Sequence, residues 1–252
     1  MTEASRSASG AGSRPLWLKV LGLAALLLTG VGMYMALFVS PIDAQQGDLI
    51  RIMYAHVPVA WIGFVAVGIS AIHGMLYLWR GRPIDDVRAV AAADAALLFS
   101  LLTVIGGMTY SKPTLNTFWT WDAKLTLTAL MVALIVGYYI VRGLIEEPQR
   151  RARVSAVIMI IVLASLPFNY LAAEWFRTLH PAKSVALDGS GVSMAPEMLR
   201  VLLINVAAAA LVFVYFLSER VRIGRLTLSD AHERSGFETA APAPTGEVIR
   251  VR

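Results

Sequence analysis

The stretch VPVAWIGFVAVGISAIHGMLYLW, residues 57–79, decides the fold class because it contains no Asp, Glu, Lys or Arg. A helix that crosses the hydrocarbon core of a bilayer, ~30 Å thick, needs about 20 predominantly apolar residues. Five further stretches have similar length and apolar character, at residues 16–39, 89–110, 123–141, 154–173 and 201–217. The sequence therefore predicts an all-α membrane protein with six transmembrane helices.

Composition excludes several classes of protein. Of 252 residues, 57% are hydrophobic and 15% are charged, which argues against a soluble globule. The net charge of +5 accompanies no basic stripe with interleaved aromatic residues, so nucleic-acid binding is not indicated. The absence of cysteine excludes a disulfide framework, thiolate metal sites, iron–sulfur clusters and the motif for covalent attachment of haem.

The distribution of Lys and Arg predicts the orientation. Sixteen of them lie in the segments on one side of the predicted spans and six on the other, at Arg51, Lys112, Lys124, Arg177, Lys183 and Arg200. Because cytoplasmic segments carry the excess of positive charge, both termini are predicted to be cytoplasmic. The predicted organisation is a cytoplasmic segment 1–15, a membrane domain 16–217 with an outer tryptophan-rich loop at 111–124, and a cytoplasmic, disordered tail 218–252.

Two histidines stand out on the predicted outer face. Its three connections comprise residues 40–56, 111–122 and 174–200, and they contain His56 and His180, two of the four histidines in the chain. Two neutral imidazoles from separate connections fit the axial coordination of a haem iron. The alternative is that each is an ordinary polar residue near a helix end.

An aromatic cluster lies between these histidines in the sequence. Phe118, Trp119 and Trp121 fall within four residues and offer flat apolar area to a large planar ligand. Arg51 and Lys124 are candidate partners for the two haem propionates. The alternatives are that the aromatic residues anchor the protein at the membrane interface and that the cations extend toward lipid headgroups.

Four motifs carry a resemblance to a known family. They are RIMYAHVPVAW at 51–61, WTWDAKLT at 119–126, Leu179-His180 followed by Ser184-Val185, and MAPEML at 194–199. With six spans, these motifs resemble the CcmC family, haem-handling membrane proteins of cytochrome c maturation within the wider WWD family. The resemblance covers nearly the whole chain, and the run that begins at Trp119 is its most specific part.

The resemblance implies a site for non-covalently bound haem b at the outer surface. His56 and His180 would be the axial ligands of the iron, and Trp119 and Trp121 would pack against the macrocycle. The family's basic positions match Arg51 and Lys124, which supports them as propionate partners. Asp122 would orient the loop by hydrogen bonding rather than contact the iron.

The resemblance also implies partners and a location. In that family, haem passes to the periplasmic chaperone CcmE, and CcmD and the CcmAB ATPase complete the complex in the bacterial inner membrane. This chain departs from the family pattern at Leu115-Asn116 and Phe118, where Trp-Gly and a further Trp are usual. The aromatic cluster of this chain therefore differs from the family pattern at these positions.

Other functions fit the sequence less well. It contains no nucleotide-binding loop, nucleophile elbow or His-Glu-x-x-His motif, so we interpret the protein as a ligand-handling membrane protein and not an enzyme. A haem-bearing electron-transfer subunit usually takes its histidines from within its spans, and ligand depth would distinguish it. A cofactor-free transporter would show paired interrupted helices, whereas Pro167 and Asn169 interrupt one span without a counterpart.

Overall fold

The computed structural model describes residues 14–176, 178–180 and 194–240, with side chains described as far as residue 231. Six helices in it are long and apolar enough to cross a membrane, which confirms the predicted fold class. They are α1 (Leu16–Tyr34), which continues as a π-helical turn (Met35–Val39), α2 (Ile50–Arg80), α3 (Pro83–Leu115), α4 (Ala123–Leu144), α5 (Pro148–Trp175) and α6 (Pro196–Ala240).

Local sequence signals account for the ends of several helices. Gly81 ends α2 with φ of 65°, a left-handed conformation that glycine adopts without steric cost, and Pro83 then begins α3. Asn116, with φ of 57°, ends α3. Asp122 caps α4 by accepting a hydrogen bond from the Leu125 amide at 2.9 Å.

Small residues bring the central helices together. The buried face of α3 is rich in alanine and packs against α2, while Gly74 of α2 lies against Ala156 of α5. Small side chains allow helix backbones to approach closely, which compensates for the weak hydrophobic driving force inside a membrane. Helix α1 packs mainly on α6, where the Asn205 amide donates to the Gly32 carbonyl at 3.1 Å.

The two ends of the bundle differ in character. The histidine end comprises residues 40–49, 116–122, 176, 178–180 and 194–195. The arginine end comprises residues 14–15, 81–82, 145–147 and the part of α6 from residue 218 to 240. At the arginine end, Arg142 binds Asp86 through two hydrogen bonds of 3.0 and 2.6 Å. Asp94 accepts hydrogen bonds from Tyr139 and Arg220, so charges near the apolar layer are paired.

Three sequence expectations require correction. Helix α2 begins at Ile50 rather than residue 57, so His56 lies inside a helix and not in the preceding connection. Lys112 and Pro113, predicted to lie in the outer loop 111–124, belong to the last turns of α3. Helix α6 extends to Ala240, so the part of the tail up to that residue is helical rather than disordered, and residues 241–252 lie outside the described part.

Candidate functional site

The His56 imidazole packs against a gap in α3 that two glycines create. An ideal Cβ atom added to Gly106 would lie 2.9 Å from His56 Nδ1, and one added to Gly107 would lie 3.5 Å from Cε1. Nδ1 is buried and makes no hydrogen bond of normal geometry among the described residues. The Thr103 backbone nevertheless lies close to the ring, in a position to form a hydrogen bond with it after a small shift. One edge of the imidazole is thus enclosed by α3, while the residue as a whole is only half-buried.

His180 and Lys124 lie near this imidazole. Both lie within the range of electrostatic interaction with His56, although they come from different parts of the chain. His180 belongs to the connection after α5, and Lys124 lies in the first turn of α4. The structure therefore brings together the two histidines and one of the two cations expected from the sequence.

Asp122 joins the tryptophan-rich loop to the histidine segment. Its Oδ1 atom caps α4, while Oδ2 accepts hydrogen bonds from the Thr178 hydroxyl at 2.9 Å and from the Leu179 amide at 3.2 Å. The Thr178 hydroxyl in turn accepts a hydrogen bond from the His180 amide at 3.1 Å. One carboxylate thus fixes the start of α4 relative to the backbone that carries His180.

The two tryptophans differ in exposure. Trp119 is half-buried and its indole Nε1 atom is enclosed without a hydrogen-bond partner among the described residues. Trp121 is 81% exposed, and the two rings meet edge to face with centroids 5.8 Å apart. Phe118 is also exposed and lies under the Lys112 ammonium, 5.4 Å from Nζ to the ring centroid. The loop therefore presents aromatic surface outward while one indole anchors it.

Lys124 points into the bundle rather than outward. Its Nζ atom donates to the Asn169 carbonyl at 2.7 Å and to the Asn169 side-chain oxygen at 3.1 Å, and it lies 5.9 Å from the centroid of the Phe64 ring. The Asn169 amide group donates to Thr128 at 3.1 Å. A positive charge is thus held between α2, α4 and α5.

Arg51 contacts the end of the first span. Its Nη1 atom donates to the carbonyls of Ala36 and Leu37 at 2.9 and 2.6 Å, and its Nε atom donates to Asp48 at 2.9 Å. The guanidinium therefore caps carbonyls of the π-helical turn. The expectation that Arg51 pairs with a propionate stays a prediction.

Four contributing residues escaped the sequence reasoning: Gly106, Thr103, Thr178 and Phe64. The Gly106-Gly107 pair could have been noticed, because glycine inside a helical pattern often marks close approach of another group. Thr103, Thr178 and Phe64 carry no signal that separates them from neighbouring residues of the same types. Their roles depend on which helices become neighbours.

Comparison with known proteins shows the family of this chain. The family model "CcmC: Heme exporter protein C" matches residues 5–234. The chain belongs to the CcmC family. A "Heme exporter protein C" from Bradyrhizobium diazoefficiens is 33% identical over 195 residues, covering 77% of this chain and 73% of the relative.

Other CcmC relatives come from plants and enterobacteria. A "Putative cytochrome c biosynthesis ccmC-like mitochondrial protein" of Marchantia polymorpha is 30% identical, covering 78% of this chain and 83% of the relative. The "Heme exporter protein C" of Escherichia coli is 28% identical, covering 64% of this chain and 65% of the relative. Six membrane-spanning helices and CcmC membership together identify a multi-pass membrane protein.

Proposed function

We propose that this protein binds haem b non-covalently at the histidine end and delivers it to CcmE for the maturation of c-type cytochromes. The observation that carries the proposal is the pairing of His56 and His180. They lie within electrostatic reach of each other although 124 positions separate them, and one edge of the first ring is enclosed by Gly106. The names of the relatives supply the haem and the pathway.

In this proposal each imidazole binds the iron through one ring nitrogen. For His56 that nitrogen is Nε2, because Nδ1 faces α3. Histidine ligands usually direct the second ring nitrogen to a carbonyl or carboxylate, which fixes the tautomer and the orientation of the ring. The Thr103 backbone is the group placed to do this. His56 in a helix and His180 in a connection would then contact the cargo from two different elements.

The surroundings of the two histidines suit a planar, dianionic cargo. Trp119 and Trp121 offer aromatic surface for the macrocycle, and the charge on Lys124 complements a propionate. Two imidazole ligands leave no open coordination position, which suits carriage better than oxygen chemistry. Release then requires that a partner's side chain displace one ligand. Trp121 is exposed, and in this proposal it contributes to the surface that CcmE contacts.

The orientation follows the charge distribution. We infer that the arginine end is cytoplasmic and the histidine end periplasmic in a bacterial inner membrane. In the sequence, 16 of the 22 Lys and Arg residues belong to the segments assigned to the cytoplasmic side. The CcmAB ATPase and CcmD would complete the complex, since the sequence has no nucleotide-binding loop of its own.

Complementation tests the proposed function. Expression of this chain in a bacterium that lacks its own CcmC is expected to restore covalently haem-stained c-type cytochromes. The purified protein from haem-replete cells should show the absorption bands of a six-coordinate haem. A wild-type protein that carries no haem under these conditions would contradict the proposal.

The contact with Gly106 leads to a specific prediction. We expect Gly106→Ala to weaken haem retention about tenfold, because the new methyl group would displace the His56 ring. Gly68→Ala is the matched control, since nothing lies within 4 Å of the position of its Cβ atom. Both changes replace a helical glycine and gain the same helix propensity of roughly 1 kcal/mol. Equal haem retention in the two variants, measured by dialysis against apomyoglobin, would argue against the His56 site.

Lys124 gives a second prediction. We expect Lys124→Gln to weaken haem retention by about three- to tenfold, because a charge-assisted hydrogen bond in a half-buried site contributes about 1.5–3 kcal/mol, part of which the amide replaces. Lys112→Gln is the control, since Lys112 is exposed and lies at the same end. If the two variants lose haem equally, the role of Lys124 as a propionate partner is wrong.

A further inference from the structure

A cavity lies at the arginine end, far along α2 from His56. Its volume is about 620 Å³, and it opens between the start of α1, the second half of α2, the start of α3 and residues 217–226 of α6. We call it the basic cleft, after the charged side chains that line it: His73, Arg88, Arg222 and Arg225. No residue of the haem site described above contributes to it.

Among the described residues, basic side chains outnumber acidic ones around the basic cleft. Two carboxylates lie behind its wall: Asp85 is 3.7 Å from Arg88, and Glu219 pairs with both Arg222 and Arg14 at 2.7 Å. Neither carboxylate lines the cavity. Arg225 has no ion-pair or hydrogen-bond partner in the part of the chain that the structure describes. Among the described residues, these two acids thus accompany four arginines, and Arg225 is the arginine that pairs with neither.

The remaining lining of the basic cleft is apolar. Trp17, Ile69, Leu217 and Leu226 are among the contributing residues, and Trp17 is 58% exposed although it lies at a helix start. A small inorganic anion would make no use of these side chains, and a neutral acyl chain would make no use of the arginines. Cations beside apolar surface at a helix-bundle end are instead complementary to an amphiphile with an anionic head.

We propose that the basic cleft is a binding site for an amphiphilic anion, whose carboxylate or phosphate group contacts Arg225 and its neighbours while its apolar body lies along Trp17. Two sources supply this chemistry: an anionic phospholipid of the surrounding leaflet, and haem itself before it reaches the histidine end. Only the haem source rests on the proposed function. The volume is in the range of ordinary small-molecule sites, about 300–1,000 Å³.

The test uses the full chain with His56 and His180 both changed to Ala, which removes the proposed haem site. Phosphatidylglycerol binding is measured by native mass spectrometry, and haem binding by an absorption titration in nanodiscs of zwitterionic lipid. We expect Arg225→Gln to weaken binding of at least one probe about tenfold. Arg225 is the informative position because its replacement breaks no ion pair among the described residues.

Arg153→Gln is the matched control, since Arg153 is exposed near the arginine end and does not line the basic cleft. Loss of phosphatidylglycerol alone identifies a lipid site, and loss of haem alone identifies a site for the cargo; either supports the proposal. If Arg225→Gln and Trp17→Ala leave both affinities equal to those of the control, the proposal is wrong. These measurements are made without His56 and His180, so they do not depend on the proposed haem site at the histidine end. Failure of the proposed function is detected separately, by the complementation experiment.

Discussion

Replacement of His56 by Ala is expected to remove the six-coordinate haem spectrum of the purified protein and to lower haem retention at least about tenfold. The physical reason is that the imidazole is one of two iron ligands in the proposed site and is held by its contact with α3. His180→Ala should have a similar effect. Each spectrum is recorded after identical haem-replete expression, with the haem to protein ratio measured by pyridine haemochrome.

The control separates loss of a ligand from loss of the fold. His232→Ala removes a histidine from the C-terminal extension of the chain and should leave the spectrum unchanged. His56→Gly in the presence of millimolar imidazole should recover part of the bound haem, because free imidazole can replace the missing ring. If neither His56→Ala nor His180→Ala changes the spectrum, the site lies elsewhere in the protein.

Replacement of Asp122 by Ala is expected to lower both stability and haem retention. Loss of the cap of α4 costs about 1 kcal/mol, and the Thr178 hydroxyl and Leu179 amide lose their acceptor at a further cost of about 1–3 kcal/mol in total. The segment that carries His180 then loses its attachment to α4. Denaturant unfolding in detergent measures the first effect, and haem occupancy measures the second.

Two further variants define the role of Asp122. Asp122→Asn keeps an acceptor for the cap and should recover most of the stability, since Asn and Asp cap helices about equally well. Glu197→Ala removes a more exposed carboxylate from the same end and should have little effect on haem retention. The haem that remains in Asp122→Asn should have the wild-type ligand spectrum. A changed spectrum would mean that Asp122 itself contacts the iron.

The helix boundaries show where sequence reasoning succeeded and where it stopped. The span predicted at residues 16–39 coincides with α1 and its π-helical turn, because apolar composition alone marks both ends. At α2 the same criterion excluded Arg51 and His56, although the helix includes both. Hydropathy does not distinguish polar residues in the first turns of a helix from polar residues in a loop. Their placement depends on partners such as the carbonyl of Leu37, which accepts a hydrogen bond from Arg51.

The sequence by itself determined a six-span helical membrane protein, because apolar length is a local property that each stretch satisfies alone. It also identified His56, His180, Trp119 and Asp122 as candidates, through residue type and motif. Only the tertiary structure placed Gly106 against His56 and directed Lys124 inward to Asn169. These contacts join residues 45 to 50 positions apart on different helices. Which helices become neighbours follows from the packing of small side chains across the whole bundle, and no single segment encodes it.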